Sequence, residues 1–315
     1  MGRVAYLFPG QGSQEVGMGR AFAERSSAAA QVFEDADHAL GEALTTLIAS
    51  GPAETLALTE NTQPAVLVAS IAALEAGREA GLPPPDFVAG HSLGEYSALV
   101  AARALSLAQA VKLVRLRGRL MQAAVPVGEG GMSAVLGLPV ARVAQACQEI
   151  ESENPGSVVA PANLNGSDQI VIAGHVEALR LAGDRCRQFG ARRVIPLDVS
   201  APFHSSLMAS VSAPLADALA SSSFADARIP VVTNVDALPE QRADRLRSLL
   251  VAQVTAPVRW TDVVARLVAE GCDTFIELGP GTVLTGLVRR QVPGARVHAI
   301  FHPSRLEAAC AALVA

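Results

Sequence analysis

The stretch Phe87-Val88-Ala89-Gly90-His91-Ser92-Leu93-Gly94 decides the fold of this chain. Its first four residues predict a short strand, which runs directly into a Gly-x-Ser-x-Gly motif, and a helical pattern follows over residues 95–124. A chance Gly-x-Ser-x-Gly in a glycine-rich loop is the alternative. The strand before the motif and the helix after it favour a nucleophile elbow, a sharp turn that exposes Ser92 at a helix N-terminus.

The rest of the chain also alternates between helix and short strand. Residues 14–80 are mostly helical in pattern, with a break near Gly51-Pro52. Besides 87–90, short apolar runs predict strands at 4–8, 231–234 and 274–277. This alternation is typical of an α/β fold with a mainly parallel sheet.

The pattern changes between a glycine-rich joint at 126–131 and Ser200. Here the predicted order is strand, helix, strand, strand, helix, strand, at residues 132–136, 140–151, 158–160, 169–173, 176–189 and 193–197. This βαββαβ order is typical of the ferredoxin-like arrangement. We therefore expect a large α/β domain formed by residues 1–126 and 200–315, and an inserted ferredoxin-like subdomain at 127–199.

The composition excludes several classes of protein. The chain has 315 residues, 50% of them hydrophobic, and 25 basic against 30 acidic side chains give a formal charge of -5. Without a basic run, a nucleic-acid partner is not expected. No apolar run has the ~20 residues of a membrane span, so we expect no membrane partner and a cytoplasmic protein. The four cysteines are scattered, which predicts reduced thiols and no metal site.

Nucleotide cofactors are not expected either. Gly10-Gln11-Gly12 lacks the third glycine of a dinucleotide-binding motif, and Gly279-Pro280-Gly281 lacks the Gly-Lys-Ser/Thr of a phosphate-binding loop. Gln11 follows the first predicted strand, so its backbone N–H could still contribute to an oxyanion hole.

A serine nucleophile needs a base, and the chain has six histidines. His204 lies where the chain leaves the last strand of the predicted subdomain and re-enters the large domain, and pockets form at such junctions. His91 adjoins Ser92 and is expected to point away from it in a structural role, and the other four are expected on the surface or in packing. A lone loop histidine is more often structural. Together with the elbow, however, His204 is the best candidate for the base.

Arg117 is a second candidate functional residue. Helical periodicity places Lys112, Arg115 and Arg119 on one charged, solvated face, and Arg117 on the opposite, apolar face. A buried guanidinium keeps its charge and needs acceptors. Periodicity leaves two partners open: a buried Asp or Glu, which it slightly favours, or the carboxylate of a bound substrate.

Several motifs together resemble the malonyl-CoA:acyl carrier protein transacylase family, the acyltransferases of fatty acid and polyketide synthesis. They occur in the family's order over nearly the whole chain. The motifs are Phe8-Pro9-Gly10-Gln11-Gly12-Ser13-Gln14, Thr62-Gln63-Pro64-Ala65, Gly90-His91-Ser92-Leu93-Gly94-Glu95-Tyr96-Ser97-Ala98, Arg117-Gly118, Ala162-Asn163-Leu164-Asn165, Pro202-Phe203-His204, Val232-Thr233-Asn234-Val235, Pro257-Val258-Arg259-Trp260 and Glu277-Leu278-Gly279-Pro280-Gly281.

The resemblance implies roles for the catalytic residues. Ser92 resembles the acyl-bearing nucleophile and His204 its base. Gln253 matches the residue whose backbone carbonyl orients that histidine. Arg117 resembles the arginine that pairs with the malonyl carboxylate, which reverses the slight preference for an internal salt bridge.

The resemblance also implies roles in substrate binding. Gln11 and Leu93 match the oxyanion-hole positions, which act through backbone N–H groups. Gln63 and Asn163 match polar positions of the pocket. Phe203 and Leu93 resemble the pattern that selects malonyl over methylmalonyl units.

The implied fold is an α/β-hydrolase-like core with an inserted ferredoxin-like subdomain. The implied reaction transfers a malonyl group from malonyl-CoA to the phosphopantetheine thiol of an acyl carrier protein, through a malonyl-serine intermediate and without a cofactor. The alternative is an acyl hydrolase of the same fold, in which water takes the acyl group; an inward Arg117 suited to a free carboxylate argues against it. We expect a monomer.

Overall fold

A computed structural model describes residues 2–199 and 201–314, so Met1, Ala315 and the predicted boundary residue Ser200 lie outside the described residues. The strands are β1 (Arg3–Phe8), β2 (Phe87–Gly90), β3 (Gly130–Leu136), β4 (Val159–Gly166), β5 (Gln169–His175), β6 (Arg193–Pro196), β7 (Val231–Val232), β8 (Pro239–Glu240), β9 (Cys272–Leu278) and β10 (Arg296–Ile300).

The helices alternate with these strands along most of the chain. They are α1 (Arg20–Ala23), α2 (Ser27–Leu40), α3 (Leu44–Ser50), α4 (Ala53–Leu56), α5 (Thr59–Glu79), α6 (Gly94–Ala101), α7 (Leu107–Ala123), α8 (Val140–Glu153), α9 (Val176–Gln188), α10 (Ala209–Ser221), α11 (Ala243–Gln253), α12 (Trp260–Ala269), α13 (Val283–Gln291) and α14 (Pro303–Val314). Within the described ranges, no helix is long and apolar enough to cross a membrane.

The larger sheet has six strands in the order β10-β9-β1-β2-β7-β8. Its strands are parallel except for β8, which pairs with β7 in the antiparallel direction. Because side chains alternate across a strand, Tyr6 and Phe8 of β1 face one apolar core while Ala5 and Leu7 face another on the opposite side. Helices cover both faces, which confirms the predicted α/β class.

The smaller sheet is antiparallel, with the order β4-β5-β3-β6. Together with α8 and α9 it follows the βαββαβ order, and it encloses an apolar core of its own. The first and third strands of this unit, β3 and β5, lie in the centre of the sheet, and the second and fourth, β4 and β6, lie at its edges. This is the ferredoxin-like arrangement predicted from the sequence. These elements span 130–196, and the domain limits at 127 and 199 stay a prediction.

Backbone hydrogen bonds join the small sheet to the segment that precedes α12. Val258, just before α12, donates to the carbonyl of Ala162, and Leu164 donates to the carbonyl of Val258, both at 2.9 Å. The hydroxyl of Thr261 also donates to the Leu164 carbonyl at 2.9 Å. Strand β4 is therefore tied along one side to the large unit.

Two predicted elements were wrong in detail. The helix predicted over 95–124 is two helices, α6 and α7, because Arg103 takes a left-handed φ of 62° and Ser106 begins a new helix with a capping box to Gln109. The strand predicted at 231–234 ends at Val232, and the next residues form a turn in which Ala237 donates to the carbonyl of Thr233.

Candidate active site

The turn between β2 and α6 holds Ser92 in a left-handed backbone conformation, with φ of 51°. The flanking glycines allow this turn because there is no room for side chains. A Cβ on Gly90 would lie 1.9 Å from the carbonyl of Gly94, and one on Gly94 would lie 2.1 Å from the carbonyl oxygen of Phe8. The strained turn therefore depends on the glycines of the Gly-x-Ser-x-Gly motif.

His204 and Ser92 are in direct contact, although 112 positions separate them. The hydroxyl oxygen of Ser92 lies 2.7 Å from Nε2 of His204. Nδ1 of His204 lies 2.8 Å from the carbonyl oxygen of Gln253. A carbonyl can only accept, so Nδ1 carries the proton and Nε2 is left to accept the proton of Ser92.

The electrostatic surroundings keep His204 neutral. Its side chain is buried, and burial together with the positive charge of Arg117 lowers its pKa to about 3. The Gln253 carbonyl is available because Gln253 is the last residue of α11, where carbonyl groups have no partner within the helix.

Arg117 lies in the middle of α7 and is only 1% exposed. Its guanidinium donates to three neutral acceptors: Oε1 of Gln63 at 2.9 Å, Oε1 of Gln253 at 3.0 Å and the hydroxyl of Ser92 at 3.1 Å. None of the ion pairs of the described residues includes Arg117, so the internal salt bridge favoured by periodicity is wrong.

Close packing of two helices places Arg117 beside Gln63. A Cβ on Gly118 would lie 2.7 Å from the Cα of Glu60, so glycine at this position lets α7 contact the start of α5. Arg115, which was predicted on a solvated face, is also buried, because Glu42 and the start of α5 cover it. It pairs with Glu42 at 2.7 Å and donates to the carbonyl of Glu60 at 2.9 Å.

A cavity of about 100 Å³ opens beside the Ser92 hydroxyl. It is lined by eight residues that the sequence predicted for the site, namely Gln11, Gln63, Ser92, Leu93, Arg117, Asn163, Phe203 and His204. The ninth, Gln253, lies behind them and contacts His204 and Arg117. In residues 2–199 and 201–314, no hydrogen bond uses the backbone N–H of Gln11 or Leu93.

The apolar lining of the cavity was not predicted from the sequence. Met121, Met132, Leu197 and Val199 line it. His91 lines it too, and its Nε2 lies 2.8 Å from Oδ1 of Asn165, away from Ser92. Methionine and leucine at these places carry no local signal, because whether they face a core or a cavity depends on how the two sheets meet.

Two buried polar residues next to the elbow were also missed. The side chain of Asn234 accepts from the Ser92 N–H and donates to the Gly90 carbonyl, both at 2.7 Å. Glu95 accepts from the Asn234 N–H at 2.9 Å. A signal for Asn234 was present, since it follows the strand β7, which neighbours β2, and the carboxyl ends of parallel strands meet at one sheet edge.

Comparison with known proteins places this geometry in a family. The model of the acyl transferase domain family matches residues 5–300. The malonyl CoA-acyl carrier protein transacylase of Bacillus subtilis is 46% identical over 310 residues, covering 98% of this chain and 96% of the relative. The enzyme of that name from Escherichia coli strain K12 is 45% identical over 309 residues, covering 98% and 99%.

Solved structures agree with the sequence comparison. An acyl carrier protein S-malonyltransferase from Vibrio cholerae superposes with a TM-score of 0.94 at 44% identity, covering 97% of this chain and 99% of that one. A malonyl-transacylase solved in complex with the holo acyl carrier protein of a type II polyketide synthase gives 0.94 at 43% identity and 98% coverage of both chains. The chain therefore belongs to the acyl transferase family, among the malonyl-CoA:acyl carrier protein transacylases.

Proposed function

We propose that this enzyme transfers a malonyl group from malonyl-CoA to the phosphopantetheine thiol of an acyl carrier protein, for fatty acid or polyketide synthesis. The observation that carries the proposal is the line of hydrogen bonds from Ser92 through His204 to Gln253, next to a buried Arg117 that has only neutral partners. The line supplies a nucleophile and its base, and Arg117 supplies a site for a free carboxylate.

In the first half-reaction, Nε2 of His204 removes the proton of the Ser92 hydroxyl as the oxygen attacks the thioester carbonyl. Negative charge then develops on the carbonyl oxygen, and the backbone N–H groups of Gln11 and Leu93 are assigned to stabilise it. The carbon–sulfur bond breaks, and His204 returns the proton to the departing CoA sulfur. A malonyl ester of Ser92 and free CoA are formed.

In the second half-reaction, the thiol of the carrier protein takes the place of the CoA thiol. His204 removes its proton as the sulfur attacks the ester carbonyl, and the same two N–H groups stabilise the charge. The ester bond breaks, and Ser92 recovers its proton from His204. One base serves both steps. Because CoA leaves before the carrier protein attacks the malonyl-serine intermediate, the kinetics should be ping-pong.

Arg117 is assigned to bind the malonyl carboxylate, with Gln63 holding one side of the guanidinium. A malonyl thioester pairs this buried charge, whereas an acetyl thioester leaves it unpaired. Asn163 and Phe203 are assigned to the walls that contact the acyl group. We also propose that the enzyme works in the cytoplasm, which agrees with the free state of Cys147, Cys186, Cys272 and Cys310.

Mass spectrometry of the intact protein tests the proposal. Mixing the wild-type enzyme with malonyl-CoA should add the mass of one malonyl group, whereas Ser92→Ala should remain unlabelled. Addition of a holo acyl carrier protein should then transfer the malonyl group from the enzyme to the carrier protein. Release of free malonate at the same rate without the carrier protein would indicate the acyl hydrolase instead. Labelling of Ser92→Ala would contradict the assignment of the nucleophile.

A further inference from the structure

Glu95 is a buried carboxylate next to the nucleophile elbow that has no role in the reaction described above. It lies in the first turn of α6, three residues after the nucleophile, and is 1% exposed. Its Oε2 accepts from the backbone N–H of Asn234 and from Nε2 of Gln253, both at 2.9 Å. No ion pair in the described part of the chain includes it, although buried carboxylates are usually paired with a cation.

The two partners of Glu95 form hydrogen bonds to Ser92, His204 and Arg117. Asn234 accepts from the Ser92 N–H. Gln253 accepts from His204 through its backbone carbonyl and from Arg117 through its side-chain Oε1. An ionised carboxylate only accepts hydrogen bonds, so Glu95 holds the donor end of the Gln253 amide and leaves the acceptor end facing Arg117. Glu95 therefore positions the nucleophile, the base and the cation, each through one intermediate residue.

The side-chain amide of Gln253 also connects the two buried charges, those of Arg117 and Glu95. In the acyl-free enzyme the positive Arg117 and the carboxylate of Glu95 lie on opposite ends of the same amide. Burial raises the pKa of Glu95 to about 7, against the opposing effects of the hydrogen bonds from Asn234 and Gln253 and of the positive charge of Arg117. The other ionisable groups that interact with Glu95 are Asp236, which is paired with Arg245 at 2.5 Å, and Tyr96 on its own helix.

A malonyl carboxylate bound at Arg117 disturbs this balance. It adds a second negative charge to the pocket and competes for the guanidinium that favours the ionised form of Glu95. A proton on Oε1 of Glu95 would restore the balance without loss of structure, because both hydrogen bonds to Glu95 end on Oε2.

We propose that Glu95 is a positioning residue that takes up a proton from solvent when the carboxylate of an acyl group binds Arg117. The pocket then holds one negative charge against one positive charge in both states. The inference rests on the proposed function, since it requires the malonyl carboxylate to bind at Arg117. It makes the choice of substrate depend on pH.

The sign of this dependence follows from linkage. If malonyl binding draws a proton onto Glu95, then protonation of Glu95 favours malonyl binding to the same extent. Below about pH 7 the proton is already present. Above it, the KM for malonyl-CoA should rise with pH, by at most about tenfold per unit, while the KM for acetyl-CoA should not share the rise.

Calorimetric titration measures the proton directly. The Ser92→Ala enzyme is titrated at pH 8 with malonyl-CoA and with acetyl-CoA, in two buffers of different ionisation enthalpy. The CoA portion is common to both ligands, so the difference between their proton uptakes reports the effect of the malonyl carboxylate. Binding of malonyl-CoA should be accompanied by the uptake of more protons than binding of acetyl-CoA, by up to about one proton per enzyme. Adding Glu95→Gln should abolish this difference.

The matched control is Glu277→Gln in the same Ser92→Ala background. Glu277 is also a fully buried carboxylate and accepts from two backbone N–H groups, those of Leu284 at 3.0 Å and Thr285 at 2.8 Å. Within the described residues, neither of these partners forms a hydrogen bond to Ser92, His204 or Arg117, in contrast to the partners of Glu95. This variant should keep the difference in proton uptake. Thermal unfolding of all variants shows that they are folded.

The positioning role has a separate readout. Glu95→Gln keeps an oxygen that can accept from Asn234 and Gln253. Glu95→Ala leaves the Asn234 N–H without an acceptor, and it leaves Nε2 of Gln253 with only its longer contacts to the Ser92 carbonyl at 3.2 Å and to Oδ1 of Asn234 at 3.4 Å. In enzymes with Ser92 intact, kcat should therefore fall at least about tenfold further in Glu95→Ala than in Glu95→Gln. Equal kcat values in the two variants would overturn this role.

The outcomes separate this inference from the proposed function. If the wild-type enzyme forms no malonyl-serine, the proposed function fails. If it does, but proton uptake persists in Glu95→Gln, another group such as His204 takes the proton and the inference is wrong. The KM of the wild-type enzyme for malonyl-CoA between pH 6 and 8.5 is a further test. If this KM does not change with pH, or changes in parallel with the KM for acetyl-CoA, the inference is wrong, whatever the behaviour of the variants.

Discussion

The two walls of the cavity differ in chemistry. The wall formed by the large sheet and its helices contributes the hydrogen-bonding and charged groups around Ser92, including His204, Arg117, Gln63 and Gln11. The wall from the small sheet and the segment after β6 is mostly apolar, formed by Met132, Leu197 and Val199, with Asn163 as its polar member. The large unit therefore supplies most of the reactive and charged groups, whereas the small unit mainly shapes the cavity.

The largest expected effect comes from the charged wall. Arg117→Ala should reduce malonyl transfer by on the order of 10² or more, while sparing or improving acetyl transfer, because acetyl has no carboxylate to pair with the guanidinium. The measurement is kcat/KM for both CoA esters. Arg115→Ala is the matched control on the same helix, since Arg115 is buried but paired with Glu42. Arg115→Ala should change kcat/KM for both substrates by the same factor. If Arg117→Ala also lowered kcat/KM equally for both substrates, Arg117 would have a structural role.

A smaller effect is expected where the two walls meet. Phe203 lines the cavity and directly precedes His204 in the chain. We expect its ring to occupy the space that an α-methyl group of the acyl unit would need. Overpacking typically costs 1–3 kcal/mol, or roughly 5- to 150-fold. The wild-type enzyme should prefer malonyl-CoA to methylmalonyl-CoA by this factor, and Phe203→Ser should narrow the ratio.

The check is a competition between the two CoA esters, compared for the wild type and Phe203→Ser. An unchanged ratio would place the selectivity elsewhere in the pocket. A wild-type preference for methylmalonyl-CoA would contradict the assigned substrate.

The charged wall should also make the fold sensitive to acid. The pKa of His204 is lowered to about 3 in the folded state, so the unfolded chain binds its proton first as pH falls below about 6.5. Stability contributed by the neutral His204 is therefore lost on acidification, at most by about 1.4 kcal/mol per pH unit. Denaturant unfolding measures the free energy of unfolding at pH 7 and at pH 5. Its decrease between the two pH values should be smaller for His204→Gln than for the wild type. The same loss in both would mean that other groups govern acid unfolding.

The smallest effect is expected from the apolar wall. Leu197→Ala widens the cavity without removing a hydrogen bond to the acyl group, so kcat/KM for malonyl-CoA should fall by less than about tenfold, mainly through KM. Steady-state kinetics, with labelling of Ser92 as a check on the chemistry, measure this. A loss as large as that of Arg117→Ala would end the distinction between the two walls.

The parts of the site that the sequence predicted are those with a local signal. Eight residues from Phe87 to Gly94 contain the strand, the turn and the nucleophile, so the elbow could be predicted without knowledge of the fold. Periodicity placed Arg117 on an inward face. The resemblance to a family supplied the roles of Gln63, Asn163 and Gln253, which no local pattern indicates.

The parts that were missed depend on contacts between distant segments. Glu95 is next to the elbow in sequence, but the groups that bind its carboxylate come from Asn234 and Gln253, 139 and 158 positions away. Arg115 was placed on a solvated face because periodicity does not show that Glu42, 73 positions earlier, covers it. The strand β10 was not predicted, because Arg296 and His298 interrupt the short apolar run that marked the other strands.

The backbone hydrogen bonds between β4 and Val258 have a consequence for how substrates come and go. If the small sheet moved away from Val258 to open the cavity, these main-chain bonds at 2.9 Å would have to break. We therefore expect the slot between the walls to keep its width through the catalytic cycle. The pantetheine arms of CoA and of the carrier protein would then enter and leave end-on, one after the other, through a passage that is already open.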